Sequence, residues 1–406
     1  MGKGIVKLGE GNWAVKDGNL LAAKETNGRF KNTEFTVTRG TDATYVGKDG
    51  LIVNETGNDT PRIDFTDNTD GHLLLEPQST NLVTYSETFE NWTEQNSSVT
   101  TNTTTSPSGE NNASKLVENN ADNQHRIDFT STSSASTVTF SVFIKKDERQ
   151  YAWTRIGSSG ARFDLDNGNI SNISADITAD SINYGNGWYR YIITKTSASS
   201  NEICRINSLE SLSQGDYQGD GTSGIYIWGA QLEELPYATS HIPTNGSTVT
   251  RDGETCTGAG SSADFNSEEG VLYAEIAALA DDNTYRILSL SDETRNERVY
   301  MQYTNASNTV SVVVKYGGVT QANMVYVLSD ATNFSKVAIK YKANDFALWV
   351  DGVERDTDTS GNTPTTLNKL QFNEGDSSGN EFYGKVKAIR VYKETDGIDL
   401  ATLTSL

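Results

Sequence analysis

The sequence predicts an all-β fold: two consecutive β-sandwich (jelly-roll) domains preceded by a small β-rich N-terminal attachment region. Three observations carry this. Apolar and polar residues alternate in short runs, which is the period of half-buried strands and not of helices. The runs are separated by Gly, Asn and Asp; with 6 prolines in 406 residues, reversals rely on pairs such as Asp49-Gly50, Asn167-Gly168 and Asp351-Gly352, which favour tight hairpins. The chain holds 18 Tyr, 13 Phe and 6 Trp spaced by Thr, Ser, Asn and Gly, too many aromatic residues for a disordered polymer.

Taken in order, three blocks emerge. Residues 1–80 are Gly-rich with short strands, among them Phe35-Thr36-Val37-Thr38, and close on Leu73-Leu74-Leu75-Glu76-Pro77. Their large apolar residues, Trp13, Leu20, Leu21, Phe30 and Phe35, are spread among glycines, so this block is expected to borrow a partner to offset its chain entropy. Residues 81–246 begin with a Ser, Thr and Asn loop and continue through evenly spaced strands. In Thr137-Val138-Thr139-Phe140-Ser141-Val142-Phe143-Ile144, Val138, Phe140 and Val142 share one face and Thr139 and Ser141 the other. Residues 247–406 supply a second set of strands and end in a short helix over 399–406. The last block is expected to fold alone from about residue 261.

Composition narrows the function. Thirty-three Lys and Arg against 54 Asp and Glu give a net charge of −21, a surface that repels phosphate backbones and anionic lipids and argues against nucleic-acid binding and membrane insertion. No run approaches the ~18 apolar residues of a spanning helix, and the N-terminus lacks a signal-peptide core, so the expectation is a soluble protein made in a cytosol. Cys204 and Cys256 are too far apart for a metal knuckle and read as idle thiols.

Two resemblances follow from ordered motifs. Asp49-Gly50-Leu51-Ile52, Pro61-Arg62-Ile63-Asp64-Phe65, Leu73-Leu74-Leu75-Glu76-Pro77-Gln78-Ser79-Thr80-Asn81-Leu82 and Tyr85-Ser86-Glu87 resemble a string found in tail, fibre and other virion proteins of bacteriophages. There it precedes a module similar to carbohydrate-binding jelly rolls. Here the matching segments are Phe163-Asp164-Leu165-Asp166-Asn167-Gly168, Gly187-Trp188-Tyr189-Arg190, Trp228-Gly229-Ala230-Gln231-Leu232-Glu233 and Ala238-Thr239-Ser240-His241-Ile242-Pro243-Thr244. The last block is similar to concanavalin-like or laminin-G-like lectin sandwiches through Glu269-Gly270-Val271-Leu272-Tyr273-Ala274-Glu275, Ala347-Leu348-Trp349-Val350-Asp351-Gly352 and Phe382-Tyr383-Gly384-Lys385-Val386-Lys387-Ala388-Ile389-Arg390-Val391-Tyr392. That family implies binding of glycans or proteins, often with calcium, but no calcium ligand transfers to a matching motif.

The residues themselves argue against catalysis. The strand pattern Glu-x-Asp-x-x-Glu of sandwich-fold glycanases is absent, and His72, His125 and His241 are scattered singly. Acidic clusters at 64–71 and 351–358 lack helix-flanked calcium-loop spacing and read as solvated loops, so no metal or cofactor is assigned. Aromatics are the remaining signal, since sugar rings stack on exposed Trp and Tyr. Alternation puts Tyr151, Trp153 and Arg155 on one face, a glycan platform unless that face is the sandwich interior; Trp349 is a second candidate, opposite Phe346, Leu348 and Val350. Trp188 and Trp228 read as core. On a −21 surface, neutral sugars, or acidic ones with a bridging cation, are the expected ligands.

The resulting expectation is a non-enzymatic phage virion protein, assembled in the host cytoplasm and released by lysis. It would be homo-oligomeric in the particle, attached to other virion proteins through residues 1–80, and bind glycans or the host cell surface. Alternatives are a decoration protein that binds only virion neighbours and a polysaccharide-degrading tail enzyme.

Overall fold

The computed structural model describes residues 6–26, 29–66, 68–376 and 379–405, and these are all-β. Antiparallel strands carry the chain, and the α-helix among the described residues is Leu400–Leu403 near the C-terminus, where the sequence places it. Asp399 starts that helix by accepting a hydrogen bond from the Thr402 backbone N–H. No described helix is long and apolar enough to cross a membrane.

Packing divides the chain into two compact units, and neither is a continuous stretch. One comprises Met1–Gly40, Gly57–Pro77 and Gly253–Leu406; the other comprises Thr41–Thr56 and Gln78–Asp252. This corrects the expectation of three consecutive blocks at 1–80, 81–246 and 247–406. Residues 1–80 are no separate region, because their strands are built into both units.

In the first unit, a twelve-stranded sheet faces a five-stranded one. Val6–Gly9 lies along Gly384–Tyr392, with Val6 opposite Val391 and Leu8 opposite Ile389. Asn19–Thr26 and Arg29–Thr38 extend the same sheet. Leu20, Phe35, Val37, Leu73 and Leu75 therefore enter one core with Leu272, Ile339, Leu348 and Ile389 from the C-terminal strands and Leu288, Met301 and Val312 from the facing sheet. The partner that the N-terminal residues need is thus the end of their own chain. A buried ion network reinforces the join: Arg62 contacts Glu254 at 2.6 Å and Glu76 at 2.8 Å, and Arg39 contacts Glu254 at 3.0 Å.

The second unit is a sandwich of two six-stranded sheets. One sheet contributes Ile127, Ala152, Ile156, Phe163 and Ile206 to the core, the other Leu116, Phe140, Val142, Ile144, Ile193 and Ile227. The predicted alternation of Val138–Lys146 holds, yet both its faces are buried, because Phe143 on the opposite side joins a second cluster with Val46, Ile52, Trp188 and Trp228. Val46 and Ile52 come from the hairpin of Ala43–Val46 with Ile52–Glu55, anchored by the Ile52 N–H donating to the Pro107 carbonyl at 2.9 Å. Trp188 and Trp228 are core residues, as expected.

The second unit is closed by the segments that resemble phage strings. The buried Asn81 side chain donates to the carbonyls of Ala230 and Ile242 at 3.1 and 2.8 Å and accepts from the N–H groups of Val83 and Leu232. Glu233, fully buried, accepts from Ser79 at 2.6 Å and from the Thr239 backbone at 3.0 Å. These motifs are polar joints that hold residues 79–86 against 230–244.

Candidate functional site on the outer face of a six-stranded sheet

The strand Tyr151–Ile156 turns Ala152 and Ile156 into the core and Tyr151, Trp153 and Arg155 outward, so the predicted shared face of these three is real and is not the sandwich interior. Pairing builds the rest of the face. Trp153 sits opposite Arg162 on Ser159–Asp164 and opposite Asn207 on Ile203–Leu209, while Arg155 sits opposite Arg205. His125–Thr130 brings Arg126 opposite Asn207 and Asp128 opposite Arg205. Four arginines thus share this face, two of them, Arg155 and Arg162, against Trp153.

Trp153 is half-buried and its ring is occupied. The Arg155 guanidinium lies 4.0 Å and that of Arg162 4.8 Å from the ring centroid. The backbone at Gly215 closes on its edge: a Cβ there would stand 3.2 Å from the indole, and Arg162 donates to the nearby Leu212 carbonyl. Trp153 is therefore a base on which two cations are stacked, not the bare sugar platform expected from the strand pattern. Tyr151 is half-buried at the far end of the same strand.

Beyond Arg155 the face opens into a shallow cleft of about 560 Å³ lined by Arg126, Arg155 and Arg205 together with Gln124, Ser158 and Glu202. Arg155 is 8% exposed and donates to Gln124 at 2.8 Å and to Asn207 at 3.2 Å, while its Nε is buried without a hydrogen-bond partner. Arg126 donates to Asp128 at 3.0 Å, Arg205 lies 3.6 Å from the same carboxylate, and Arg205 also donates to the Gly157 carbonyl. Glu202 is held by Lys195 at 2.8 Å. Burial, followed by the charges of Arg205 and Arg126, pulls Arg155 down to about 10, so it stays charged near neutral pH.

Local backbone shapes the cleft. Gly157 turns the chain between two strands at φ +64°, where a side chain would also meet the Glu202 carboxylate at 2.9 Å. A Cβ on Gly160 would lie 2.7 Å from the Arg155 Cγ, so glycine there leaves room for the arginine stem.

Trp349 is not part of this face. It belongs to the other unit, where it packs on Val271, Tyr273, Ala338, Tyr392, Leu400 and Leu403. Alternation assigns its side correctly, but the C-terminal helix folds back onto that side, and the indole N–H is buried without a partner. Trp349 is thus a half-buried ring packed beside the helix rather than a freely exposed one. Among the described residues, no group of three or more His, Cys, Asp or Glu is arranged to hold a metal. Of the acidic clusters read as solvated loops, Asp67 lies outside the described residues, Asp64 accepts from the Thr66 N–H and Asp351 from the Lys336 N–H. Cys204 and Cys256 are free and buried.

Sequence reading missed Arg126, Arg162 and Arg205. Each lies in an alternating run, Arg126 between His125 and Ile127 and Arg205 between Cys204 and Ile206, so its outward side was legible. Their convergence was not, because His125–Thr130 and Tyr151–Ile156 are brought together by Ile203–Leu209, a strand far along the chain from both that inserts between them. The charge of −21 belongs to the whole chain, whereas exposed charges act over about a Debye length, ~10 Å, and on this face Arg126, Arg155 and Arg205 meet beside Asp128 and Glu202.

No protein-family model matches the chain, and no curated protein sequence matches it. Among solved structures it is similar to the CBM40 module of the Ruminococcus gnavus IT-sialidase bound to α2,3-sialyllactose, at 15% identity and TM-score 0.30 over 35% of this chain and 84% of that one. The same module bound to α2,6-sialyllactose gives 15% identity and TM-score 0.29 over 34% and 85%. Domains LG4-5 of the mouse laminin α1 chain give 11% identity and TM-score 0.25 over 69% and 88%. These scores fall short of a shared overall fold.

Proposed function

We propose that this chain is a non-enzymatic glycan-binding protein, carried on a bacteriophage particle and used to adhere to the host surface. The observation that carries this reading is the outer face at Arg155. It opens into a shallow cleft and presents guanidinium and amide groups, of the kind that fix sugar hydroxyls and acidic substituents. The phage assignment is supported by the ordered strings around Arg62, Glu76, Asn81 and Glu233, whose side chains all make buried polar joints, so the likeness falls on residues that hold the fold. Attachment to the particle is assigned to the unit that contains residues 6–26, and no longer to an independent N-terminal block.

A glycan array probed with the full chain tests the reading, with Arg155→Gln as the control. Binding to a defined glycan set, lost in the variant and without release of shortened products from host polysaccharide, supports it. Absence of binding with specific retention on purified virion proteins would favour a decoration protein. Shortened products would make it an enzyme.

A further inference from the structure

We propose that the cleft between Arg126, Arg155 and Arg205 is a subsite for the carboxylate of an acidic sugar; this rests on the reading of the face as a glycan site and names its ligand class. Arg155 and Arg205 stand directly opposite each other on adjacent strands, and like charges so placed repel. Arg126 adds a third positive group on the next strand. Asp128 is the carboxylate shared by Arg126 and Arg205, and Glu202 is already held by Lys195, so the acids present leave the cluster with excess positive charge. Burial first, and the charges of Arg205 and Arg126 after it, hold the pKa of Arg155 below its ordinary value.

The arrangement is nevertheless fixed in place. Arg155 is held from one side by the Trp153 ring and at its Nη2 by Gln124 and Asn207, with Asn207 itself fully buried, while its Nε remains buried and unpartnered. A cationic group held rigid, repelled by its neighbours and short of an acceptor is complementary to an anion. A guanidinium pairs readily with a carboxylate, and what sets an acidic sugar apart from a free oxyanion such as sulfate is the ring that the cleft accommodates beside the acid group. The cleft is shallow and large enough for a sugar ring beside the acid group, with Gln124, Ser158 and Asn201 available to its hydroxyls. The sequence-based expectation of neutral sugars is replaced by acidic ones bound directly, without a bridging cation.

The test uses the full chain and sodium glucuronate, with glucose and sodium sulfate as comparison probes at matched ionic strength, read by calorimetric titration and by the shift in melting temperature. Glucuronate is expected to bind at least tenfold more tightly than either probe and to raise the melting temperature. Arg155→Gln and Arg205→Gln should each weaken it at least tenfold; Arg205 lies at the rim, so its variant reports binding even if the Arg155 variant folds poorly. Equal response to glucose or sulfate, or an unchanged response in Arg205→Gln, overturns the proposal. A glycan array run beside it separates the two readings. Neutral-glycan binding that ignores both substitutions sinks the acidic subsite and leaves glycan adhesion standing, whereas a specific glucuronate response with no array binding at all sinks adhesion and leaves the subsite.

Discussion

The two outer faces of the sandwich formed by residues 78–252 make opposite use of aromatic residues. On one, Phe143, Trp188 and Trp228 gather beneath the Ala43–Val46 and Ile52–Glu55 hairpin, which supplies Val46 and Ile52 to the cluster. On the other, Trp153 meets the loop at Gly215 along its edge and carries Arg155 and Arg162 on its ring. A covered face spends its rings on excluding water, and an open one uses its ring to hold charged groups in position. What lies above a sheet face therefore separates the stabilising surface from the one proposed to bind.

The contrast has graded consequences. Trp228→Ala, beneath the hairpin, should lose about 3–5 kcal/mol of stability, measured by denaturant unfolding. A loss below about 2 kcal/mol would mean the hairpin is not a true roof. Ile52→Ala should cost about 2 kcal/mol and increase binding of a hydrophobic dye, because it thins the cover over Trp188 and Trp228; unchanged dye binding would argue that the hairpin closes over the gap.

On the open face Trp153→Ala should cost only about 1–2 kcal/mol, from two cation–π contacts and a half-buried ring. Its larger effect should be on binding, since Arg155 loses its support; a stability loss as great as that of Trp228→Ala would erase the distinction between the faces. Smallest of all, Arg126→Gln should change stability by less than about 0.5 kcal/mol, as expected for a partly exposed ion pair, while weakening glucuronate binding measurably. Thermal melting of this variant at low and high salt checks that the difference shrinks as charges are screened.

Much of this was legible in the residues. Alternation assigned the correct sides to Tyr151, Trp153 and Arg155, and to Phe346, Leu348 and Val350 against Trp349. It did not show that helix Leu400–Leu403 would roof Trp349, or that a loop through Gly215 would close on Trp153. The motifs that carry the resemblance to virion strings are buried polar joints: Arg62 donates to Glu76, Asn81 to the Ala230 carbonyl, and Ser79 to Glu233. The arginines of the cleft lie in unremarked strands.

By itself, then, the chain's order of residues determined where strands run, where they turn and which side chains share a side. Those are properties of a two-residue period and of Gly, Asn and Asp in turns, and they are settled within a few neighbours. Tertiary structure decided that Val6–Gly9 pairs with Gly384–Tyr392, that a hairpin at 43–55 covers one face of the second sandwich, and that Arg126, Arg155 and Arg205 meet on the other. These outcomes depend on which distant strands bury the most apolar surface together, and a local period carries no information about partners hundreds of residues away.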